Sequence, residues 1–253
     1  MSNSYAFLSG YYDGFSSQDC DYVSWSQYLL SRANGAVNAA DIACGTGKIT
    51  KLLVQAGLNV TATDVSAEML NVAARNCRAT FVLQDMRAFK LLRKTDMAVC
   101  VNDGVNYLRP AELLPFFKRV ADNLECGAPF IFDVSSEYKL TKIIGNNVFY
   151  DDGDDVTLLW TNKLSRGSVK MDITLFVKDG EKYKRFDESH VQYVHRQADI
   201  EQALKDADFE LKEVTADYGN PLSPTSPRIT FYATKLPTHK SHRAFTRKRL
   251  HVA

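Results

Sequence analysis

The sequence predicts an α/β fold in which a doubly wound, mostly parallel sheet carries an inserted antiparallel sheet. Two observations lead to this prediction. From Val37 to Val134, short apolar runs alternate with segments whose apolar residues recur at helical spacing, as in βαβ units. Between Asn146 and Arg196 the apolar residues recur at every second position instead, which is typical of half-buried antiparallel strands.

The alternating part predicts five strands and three helices. The strands are expected at residues 37–43, 59–64, 79–83, 97–101 and 128–134, and the helices at residues 49–56, 66–76 and 111–124. The last two of these strands are almost entirely apolar, as expected for strands covered on both faces. These strands therefore belong to the middle of the sheet.

Turn signals divide the inserted segment into about four strands; they stand at residues 151–154, 165–168 and 179–180. A helix at 197–207 and strands at 209–216 and 229–234 then return the chain to the first sheet. The predicted organisation is a helical lid at 1–34, a core at 35–145 and 197–236, a β subdomain at 146–196, and a basic disordered tail at 237–253.

Composition restricts the class of protein. With 253 residues the chain can bury a large core, and its five scattered cysteines form no C-x-x-C pair, which favours a reducing compartment over a disulfide framework or a zinc site. We find neither a signal-peptide pattern nor a membrane-spanning apolar run, so the sequence predicts a soluble, cytoplasmic protein. We also find no Asp, Glu or His cluster at metal-ligand spacing, so we expect no metal.

Charge is distributed unevenly along the chain. Seven of the 31 basic residues and none of the 30 acidic residues follow Asp217, so the first 217 residues carry a net charge of −6. A basic tail on an acidic body is compatible with a polyanionic partner such as RNA. A solvated tail without a partner explains the same pattern.

The most informative segment runs from Asp41 to Gly47 and reads D-I-A-C-G-T-G. It links a predicted strand to a predicted helix, and glycines at 45 and 47 let the main chain of the turn approach a bulky ligand. Asp64 closes the next strand, where a carboxylate can accept both hydroxyl groups of a ribose. The segment therefore predicts a site for a nucleoside-type cofactor.

Further motifs follow the third and fourth strands, Gln84-Asp85-Met86 and Asn102-Asp103-Gly104-Val105-Asn106-Tyr107-Leu108, and the chain closes its sheet with Arg228-Ile229-Thr230-Phe231-Tyr232-Ala233. With the glycine segment and Asp64, this set resembles the class I S-adenosylmethionine-dependent methyltransferases over residues 5–236. The aromatic opening, which includes Tyr12 and Trp25, and the inserted sheet are similar to bacterial small-molecule N-methyltransferases. The resemblance implies a seven-stranded Rossmann-like methyltransferase fold and S-adenosyl-L-methionine as cofactor.

The resemblance also implies roles for individual residues. Ala43, Cys44 and Gly45 would contact the methionine part of the cofactor, and Asp41 would hold the turn or meet the amino group of the cofactor. Asp64 would bind the ribose, Asp85 the adenine amine and Met86 the adenine ring. Asn102 and Asp103 would line the floor near the sulfonium. The cofactor-binding residues would further include Tyr12, Trp25, Gly47 and Met69, and Tyr12 and Tyr107 would lie at the acceptor site.

Ordinary structural roles compete with these assignments. Asp64 can serve as an acidic residue before the helix that begins near Ser66, and Asp85 can cap a loop. Asn102 and Asp103 can satisfy backbone groups at a strand end. We interpret His190 and His195 as structural or surface residues, because a spacing of five does not place them on the same face of a strand.

The predicted reaction is in-line transfer of a methyl group to a small-molecule acceptor, expected to be a nitrogen, in which positioning replaces a nucleophilic residue. Three other classes of protein share part of this pattern. A dinucleotide dehydrogenase shares the glycines, but Thr50 replaces its third small residue. An RNA methyltransferase could use the basic tail, although the N-P-P-Y motif of adenine N-methyltransferases is absent at residues 102–105. A non-catalytic cofactor-binding module has the same fold, because fold alone does not define function.

Overall fold

The computed structural model describes residues 20–237. Its strands are numbered in chain order: β1 (Asn38–Ile42), β2 (Asn59–Asp64), β3 (Thr80–Leu83), β4 (Met97–Cys100), β5 (Pro129–Ser135), β6 (Val148–Asp152), β7 (Val156–Ser165), β8 (Ser168–Asp179), β9 (Lys182–Tyr193), β10 (Phe209–Thr215) and β11 (Arg228–Lys235). Its α-helices are α1 (Tyr22–Ser31), α2 (Lys48–Gln55), α3 (Ala67–Asn76), α4 (Leu113–Asn123) and α5 (Gln197–Asp206). Short 3-10 helices span Gly104–Tyr107, Pro110–Glu112 and Asp217–Gly219, and a π-helix spans Lys139–Ile144.

Seven strands form the main sheet in the order β10-β11-β5-β4-β1-β2-β3. The strands from β5 to β3 in that order run parallel, and β11 lies antiparallel between β5 and β10. Because parallel strands end at the same edge, the segments that follow β1, β2, β3 and β4 converge there. The strand order reverses between β1 and β4, and this is where ligands of such sheets bind.

Aromatic packing fills the core on one face of the sheet. Every residue of β5 is buried, and its Phe132 ring stacks between Phe130 at 4.8 Å and Phe231 at 5.0 Å between ring centroids. Phe117 from α4 packs on Phe132 at 5.2 Å. The helical spacing of α4 produces this contact, because residues three and four apart share one face.

The second sheet has the order β6-β7-β8-β9, is antiparallel throughout, and lies in the chain between β5 and α5. One part of it packs on the π-helix, where Leu140 and Ile144 contact Val169 and Met171. Its outer strands carry exposed aromatic residues, among them Tyr150 at 64% exposure. This sheet is therefore anchored on the π-helix, while several residues of its outer strands are exposed to solvent.

The predicted fold class is confirmed, and the elements differ from their predicted bounds by a few residues at most. The helix expected from residue 111 begins at Leu113, because Pro110–Glu112 forms a separate 3-10 turn in which Glu112 accepts the Arg109 N–H. Of the predicted helical lid at 1–34, the structure describes residues 20–34, which include α1. The other predicted lid residues before Cys20, and the tail after Pro237, lie outside the described range. Between residues 20 and 237, no helix is long and apolar enough to cross a membrane.

Candidate active site

A cavity of about 520 Å³ opens at the edge where the parallel strands end. Pockets of this size hold cofactor-sized ligands. Three parts of the chain line it: the segments after β1 to β4, the start of α1, and strand β9 of the second sheet. The lining includes Tyr22, Asp41, Ala43, Cys44, Gly45, Lys48, Asp64, Met69, Asp85, Met86, Arg87, Asn102, Asp103, Gly104, Tyr107, Ser189, His190 and Val191.

The glycine turn presents bare main chain to the cavity. Gly45 has φ +54°, and a Cβ placed on it would meet no protein atom within 4 Å, so the space beside its backbone is open. Ala43 has φ +56°, a left-handed conformation that costs a residue with a Cβ roughly 1–2 kcal/mol. Strain of this kind persists where the surroundings hold it and is frequent at ligand sites.

Asp64 ties the glycine turn to the next strand. One of its carboxylate oxygens accepts the Gly45 N–H and the other accepts the Ser66 N–H, both at 2.9 Å. Burial raises the pKa of Asp64, and these N–H donors act in the opposite direction. Each oxygen keeps a further lone pair, so the carboxylate can hold the turn and still accept a ligand hydroxyl.

Asp41 is buried beneath the turn and accepts the Thr50 hydroxyl at 2.5 Å. Burial raises its pKa to about 7, the Thr50 hydroxyl lowers it, and the neighbouring charge of Asp64 raises it further. A cationic ligand would stabilise the ionised form of this carboxyl group. Burial also raises the pKa of the Cys44 thiol, which keeps that side chain neutral.

Arg87 connects the segment after β3 with the segment after β4. Its guanidinium pairs with Asp85 at 2.9 Å and with Glu112 at 3.3 Å, and it donates to the Tyr107 carbonyl at 3.2 Å. Asp85 also accepts the Arg87 backbone N–H at 2.8 Å. Asp85 therefore lines the cavity with its carboxylate already oriented by a cation.

The loop after β4 forms another wall and has an unusual backbone. Asn102 and Asp103 have φ of +62° and +56°, which Asn and Asp tolerate better than other residues with a side chain. A Cβ on Gly104 would come within 3.3 Å of the Ala43 Cβ, so glycine allows this loop to approach the glycine turn. Cys20 donates its thiol to the Asn102 side-chain oxygen at 3.2 Å.

A buried ion pair supports this loop from below. Asp133 is fully buried and pairs with Arg228, whose Nε also lies 3.3 Å from Asp217. Asp133 accepts the Asp103 N–H at 3.3 Å, while Asp103 accepts the Ser135 hydroxyl at 3.0 Å. These contacts fix the position of Asp103 through the strands β5 and β11.

Comparisons with known proteins agree with this geometry. Residues 39–127 match the family model of the methyltransferase domain. YqeM of Bacillus subtilis (strain 168), named as a candidate methyltransferase, is 32% identical over 242 residues, which cover 90% of this chain and 98% of that protein. The crystal structure of an S-adenosylmethionine-dependent methyltransferase from Clostridium acetobutylicum ATCC 824 matches at a TM-score of 0.85 and 34% identity, covering 92% of this chain and 99% of that one.

The chain belongs to the S-adenosylmethionine-dependent methyltransferases. A third relative of this methyltransferase is the dTDP-3-amino-3,4,6-trideoxy-alpha-D-glucopyranose N,N-dimethyltransferase of Streptomyces venezuelae. It is 26% identical over 189 residues, which cover 73% of this chain and 80% of that protein. The predicted family and cofactor are confirmed, and family membership decides against a dinucleotide dehydrogenase.

The cavity of this methyltransferase fits S-adenosyl-L-methionine. The open space beside Gly45 admits a ligand against bare main chain, and the lining carboxylates suit a ligand that carries two hydroxyls, amines and a positive sulfur. Met69 and Met86 supply soft, adaptable contacts for a flat heterocycle. The individual contacts to the cofactor remain predictions.

Two predicted cofactor residues are placed differently from the rest. Trp25 is fully buried in the core and packs edge-on against Tyr218 at 5.4 Å, so it does not line the cavity. Gly47 lies just before α2 with φ +76°, and a Cβ there would come within 2.8 Å of the Ala73 Cβ. Because Gly47 has no side chain, the start of α2 can pack closely against α3. Tyr12 lies outside the described residues.

Strand β9 of the inserted sheet provides a further wall of the cavity. Ser189, His190 and Val191 line the cavity beside Tyr107 from the loop after β4, and the Tyr107 and His190 rings meet edge-on at 6.2 Å. His190 is buried and lies at the cavity wall, so it is not a surface residue, and its role stays a prediction. His195 is buried, contacts the backbone of Val105 and Leu108, and is absent from the lining, as expected of a structural residue. Sequence analysis missed Arg87.

Proposed function

We propose that this methyltransferase transfers a methyl group to a nitrogen atom of a small-molecule acceptor by in-line displacement. The observation that carries the proposal is a shared cavity: Tyr107 and strand β9 line the same space as the glycine turn and Asp64. A small acceptor held against Tyr107 and β9 would face a cofactor held against the glycine turn. Holding both reactants in one space supplies most of the acceleration for such a transfer.

The charges in the cavity favour an amine as acceptor. Four carboxylates line it, those of Asp41, Asp64, Asp85 and Asp103, against the two basic side chains of Lys48 and Arg87. Arg87 and Asp85 are paired and reduce each other's effect on a ligand, which leaves Asp41, Asp64 and Asp103 against Lys48. An acidic cavity attracts both a sulfonium cofactor and a protonated amine. The amino-sugar N,N-dimethyltransferase among the relatives supports the same substrate class.

The bound cofactor would supply an electrophilic methyl group, and its C–S bonding pair would stay on sulfur as the new C–N bond forms. The protein's task is then to bind, to orient and to exclude water. Tyr107, at the end of a 3-10 helix, would orient the acceptor, and β9 would cover it from the second sheet. Residues 146–196 would thus act as a roof, and α1 as part of a lid.

The experiment is a methyl-transfer assay with isotopically labelled S-adenosyl-L-methionine and matched pairs of small amines and the corresponding alcohols, including amino sugars and their hydroxyl counterparts. We expect label in the amines and little in the alcohols, with mass spectrometry locating the methyl group on nitrogen. Asp64→Ala serves as the control that lacks cofactor binding. Transfer to the alcohols with none to the amines would overturn the proposal.

Tyr107→Phe tests the acceptor side of the cavity. The substitution keeps the ring that packs against His190 and removes the hydroxyl group, so we expect kcat to fall by about 10-fold. The affinity for S-adenosylhomocysteine, measured by calorimetry, should change little. A loss of cofactor affinity with unchanged kcat would instead place Tyr107 at the cofactor.

A further inference from the structure

The cavity meets an edge of strand β9 rather than one of its faces. Ser189, His190 and Val191 are consecutive residues, and all three line the cavity. Side chains of consecutive residues on a strand point to opposite faces, so a single face could not present all three. The β8–β9 register runs without a break, so no bulge alters this alternation. In the order β6-β7-β8-β9 the strand β9 comes last, and its outer edge has no neighbouring strand among the described residues.

The main-chain groups of Ser189 and Val191 point outward at this edge. In an antiparallel strand the N–H and C=O of one residue point to the same side, and the side alternates from residue to residue. The Val194 N–H donates at 2.9 Å to the turn that precedes β8, whereas the Tyr193 carbonyl accepts the Asn106 amide on the other side. Residues 191 and 189 share the orientation of Tyr193, and their outward groups have no main-chain partner within residues 20–237.

The outer edge of β9 is closed at one end and open at the other. Asn106 is fully buried and closes one end, because it donates to the Tyr193 carbonyl at 3.0 Å and accepts the Ser135 N–H at 2.8 Å. In the other direction the edge continues past the cavity to Asp187 and Arg185, whose side chains are 56% and 61% exposed. An extended chain on this edge can therefore begin in the cavity and leave towards the start of β9, antiparallel to that strand.

We infer that the acceptor is a short peptide, whose main chain pairs with the outer edge of β9 and whose amino terminus receives the methyl group. The inference deepens the proposed function and rests on it. An unpaired strand edge is a template for another extended chain, and strand addition is a recurrent way to bind peptides. The outward groups at residues 189 and 191 repeat at about 6.7 Å, which is the spacing of alternate residues in an extended peptide.

The charge of the cavity suits an amino terminus. After the Arg87–Asp85 pair is set aside, the carboxylates of Asp41, Asp64 and Asp103 face the single cation of Lys48. An α-amino group has a pKa of about 8, against about 10.4 for an alkylamine, so about one tenth of it is neutral at pH 7, against fewer than about one in 1,000. A peptide terminus therefore offers the lone pair that attack requires more often than an alkylamine does.

The transfer balances without a protein residue as a reactant. The ammonium terminus loses its proton to water, and its lone pair then forms the C–N bond to the methyl carbon. The C–S bonding pair stays on sulfur, so S-adenosylhomocysteine is the second product. The methylated terminus is a secondary ammonium ion, which returns to the neutral amine by losing a proton to solvent.

The first test varies the acceptor and needs no protein variant. Trialanine is compared with its depsipeptide analogue, in which esters replace both amides, and with an amino sugar, using labelled S-adenosyl-L-methionine. The esters remove the N–H groups that would donate to the β9 carbonyls and keep the chain length and the terminal amine. We expect kcat/KM for trialanine to exceed the values for the depsipeptide and the amino sugar by about 10-fold.

The second test removes a donor from the strand edge. Ser189→Pro deletes the outward N–H and leaves the ladder with β8 intact, because proline is tolerated where its nitrogen faces away from the neighbouring strand. Tyr150→Pro is the matched control on the outer edge of β6. Asn147 bonds to β7 through its carbonyl, so Tyr150, three positions later, points outward, and it is 64% exposed. Calorimetry with S-adenosylhomocysteine checks that the cofactor site of each variant has folded.

We expect kcat/KM for trialanine to fall about 10-fold in Ser189→Pro and to stay at the wild-type value in Tyr150→Pro. If the wild-type protein methylates no amine, the proposed function fails and the peptide assignment fails with it. If the amino sugar or the depsipeptide is methylated as well as trialanine is, the peptide assignment alone is overturned. Wild-type kinetics with trialanine in a folded Ser189→Pro protein would overturn the pairing with β9.

Discussion

The two sheets of this methyltransferase contribute to the same cavity by different means. The main sheet is buried on both faces and presents loops that follow its strands, so its site residues lie directly after apolar runs. The second sheet is buried less completely and contributes side chains from within one strand, β9. We expect the first arrangement to bind the cofactor and the second to contact the acceptor. Four predictions test this division.

The largest expected effect concerns the core. Phe132→Ala removes a fully buried ring that touches three other rings, and we expect the free energy of unfolding to fall by about 4 kcal/mol. Trp160→Ala, in the second sheet, removes a half-buried ring whose aromatic neighbour is Phe149 at 4.9 Å, so about 1–2 kcal/mol is expected. Denaturant unfolding measures both. Equal losses would contradict the division into a core sheet and an exposed sheet.

The fold could be predicted because its signals are local. The apolar run before Asp41 and the helical spacing after Gly47 each define an element without reference to the rest of the chain. The turn signals at residues 165–168 and 179–180 fall where β7, β8 and β9 are joined. Even the fully buried strands can be recognised in the sequence, because strands covered on both faces consist almost entirely of apolar residues.

The cofactor side of the site could be predicted for the same reason. Asp64 and Asp85 follow consecutive strands, and the parallel topology brings strand ends together. Trp25 shows the limit of that reasoning: its place in an aromatic segment suggested a ligand contact, but the side chain is buried against Tyr218, which is nearly 200 positions later in the chain. Sequence spacing carries no information about such a partner.

On the acceptor side, the position of Tyr107 after β4 was predicted, but the individual residues of β9 could not be, because tertiary contacts place them at the cavity. The spacing of five between His190 and His195 gave no information about the site. The spacing of two between Glu188 and His190 puts a carboxylate and an imidazole on the same face of a strand. That spacing still does not tell which face of β9 meets the cavity. Asn106 joins the ends of β5 and β9 through hydrogen bonds that the sequence does not reveal.

The second prediction concerns the two glycines of the turn. Gly47→Ala adds a Cβ that would approach Ala73 within 2.8 Å at φ +76°, so we expect a loss of about 3 kcal/mol of unfolding free energy. Gly45→Ala meets nothing within 4 Å and should cost only its left-handed strain, about 1–2 kcal/mol. Its Cβ should instead weaken S-adenosylhomocysteine binding. If Gly47→Ala weakened S-adenosylhomocysteine binding and Gly45→Ala caused the larger loss of stability, Gly47 rather than Gly45 would face the cofactor.

The third prediction concerns Asp64. Asp64→Ala removes the acceptor that holds Gly45 and Ser66, together with the expected ribose contact, so we expect the affinity for S-adenosylhomocysteine to fall about 100-fold, or about 2.7 kcal/mol. Asp96→Ala is the matched control, because Asp96 accepts the backbone N–H groups of Val37 and Asn38 at the opposite end of β1. Calorimetry of a folded Asp64→Ala protein with unchanged affinity would count against the ribose assignment.

The smallest expected effect is a dependence of stability on pH that arises from Asp41. Because burial raises its folded pKa to about 7, the folded protein binds a proton that the unfolded chain has already lost, and stability therefore falls as pH rises through this range. Between about pH 6 and pH 8 the loss should amount to about 1 kcal/mol of unfolding free energy. Asp64, whose pKa burial also raises, contributes with the same sign.

Asp41→Asn keeps the shape of the side chain and cannot ionise, so its stability should vary less with pH than that of the wild-type protein. Denaturant unfolding at several pH values measures the difference. A cationic cofactor should oppose the effect, because it favours the ionised carboxylate: with S-adenosyl-L-methionine bound, the wild-type protein should lose less stability between about pH 6 and pH 8 than the free protein does. Parallel pH profiles for Asp41→Asn and wild type would mean that Asp41 does not titrate in this range, and the electrostatic argument for a cation beside the glycine turn would then depend on Asp64 alone.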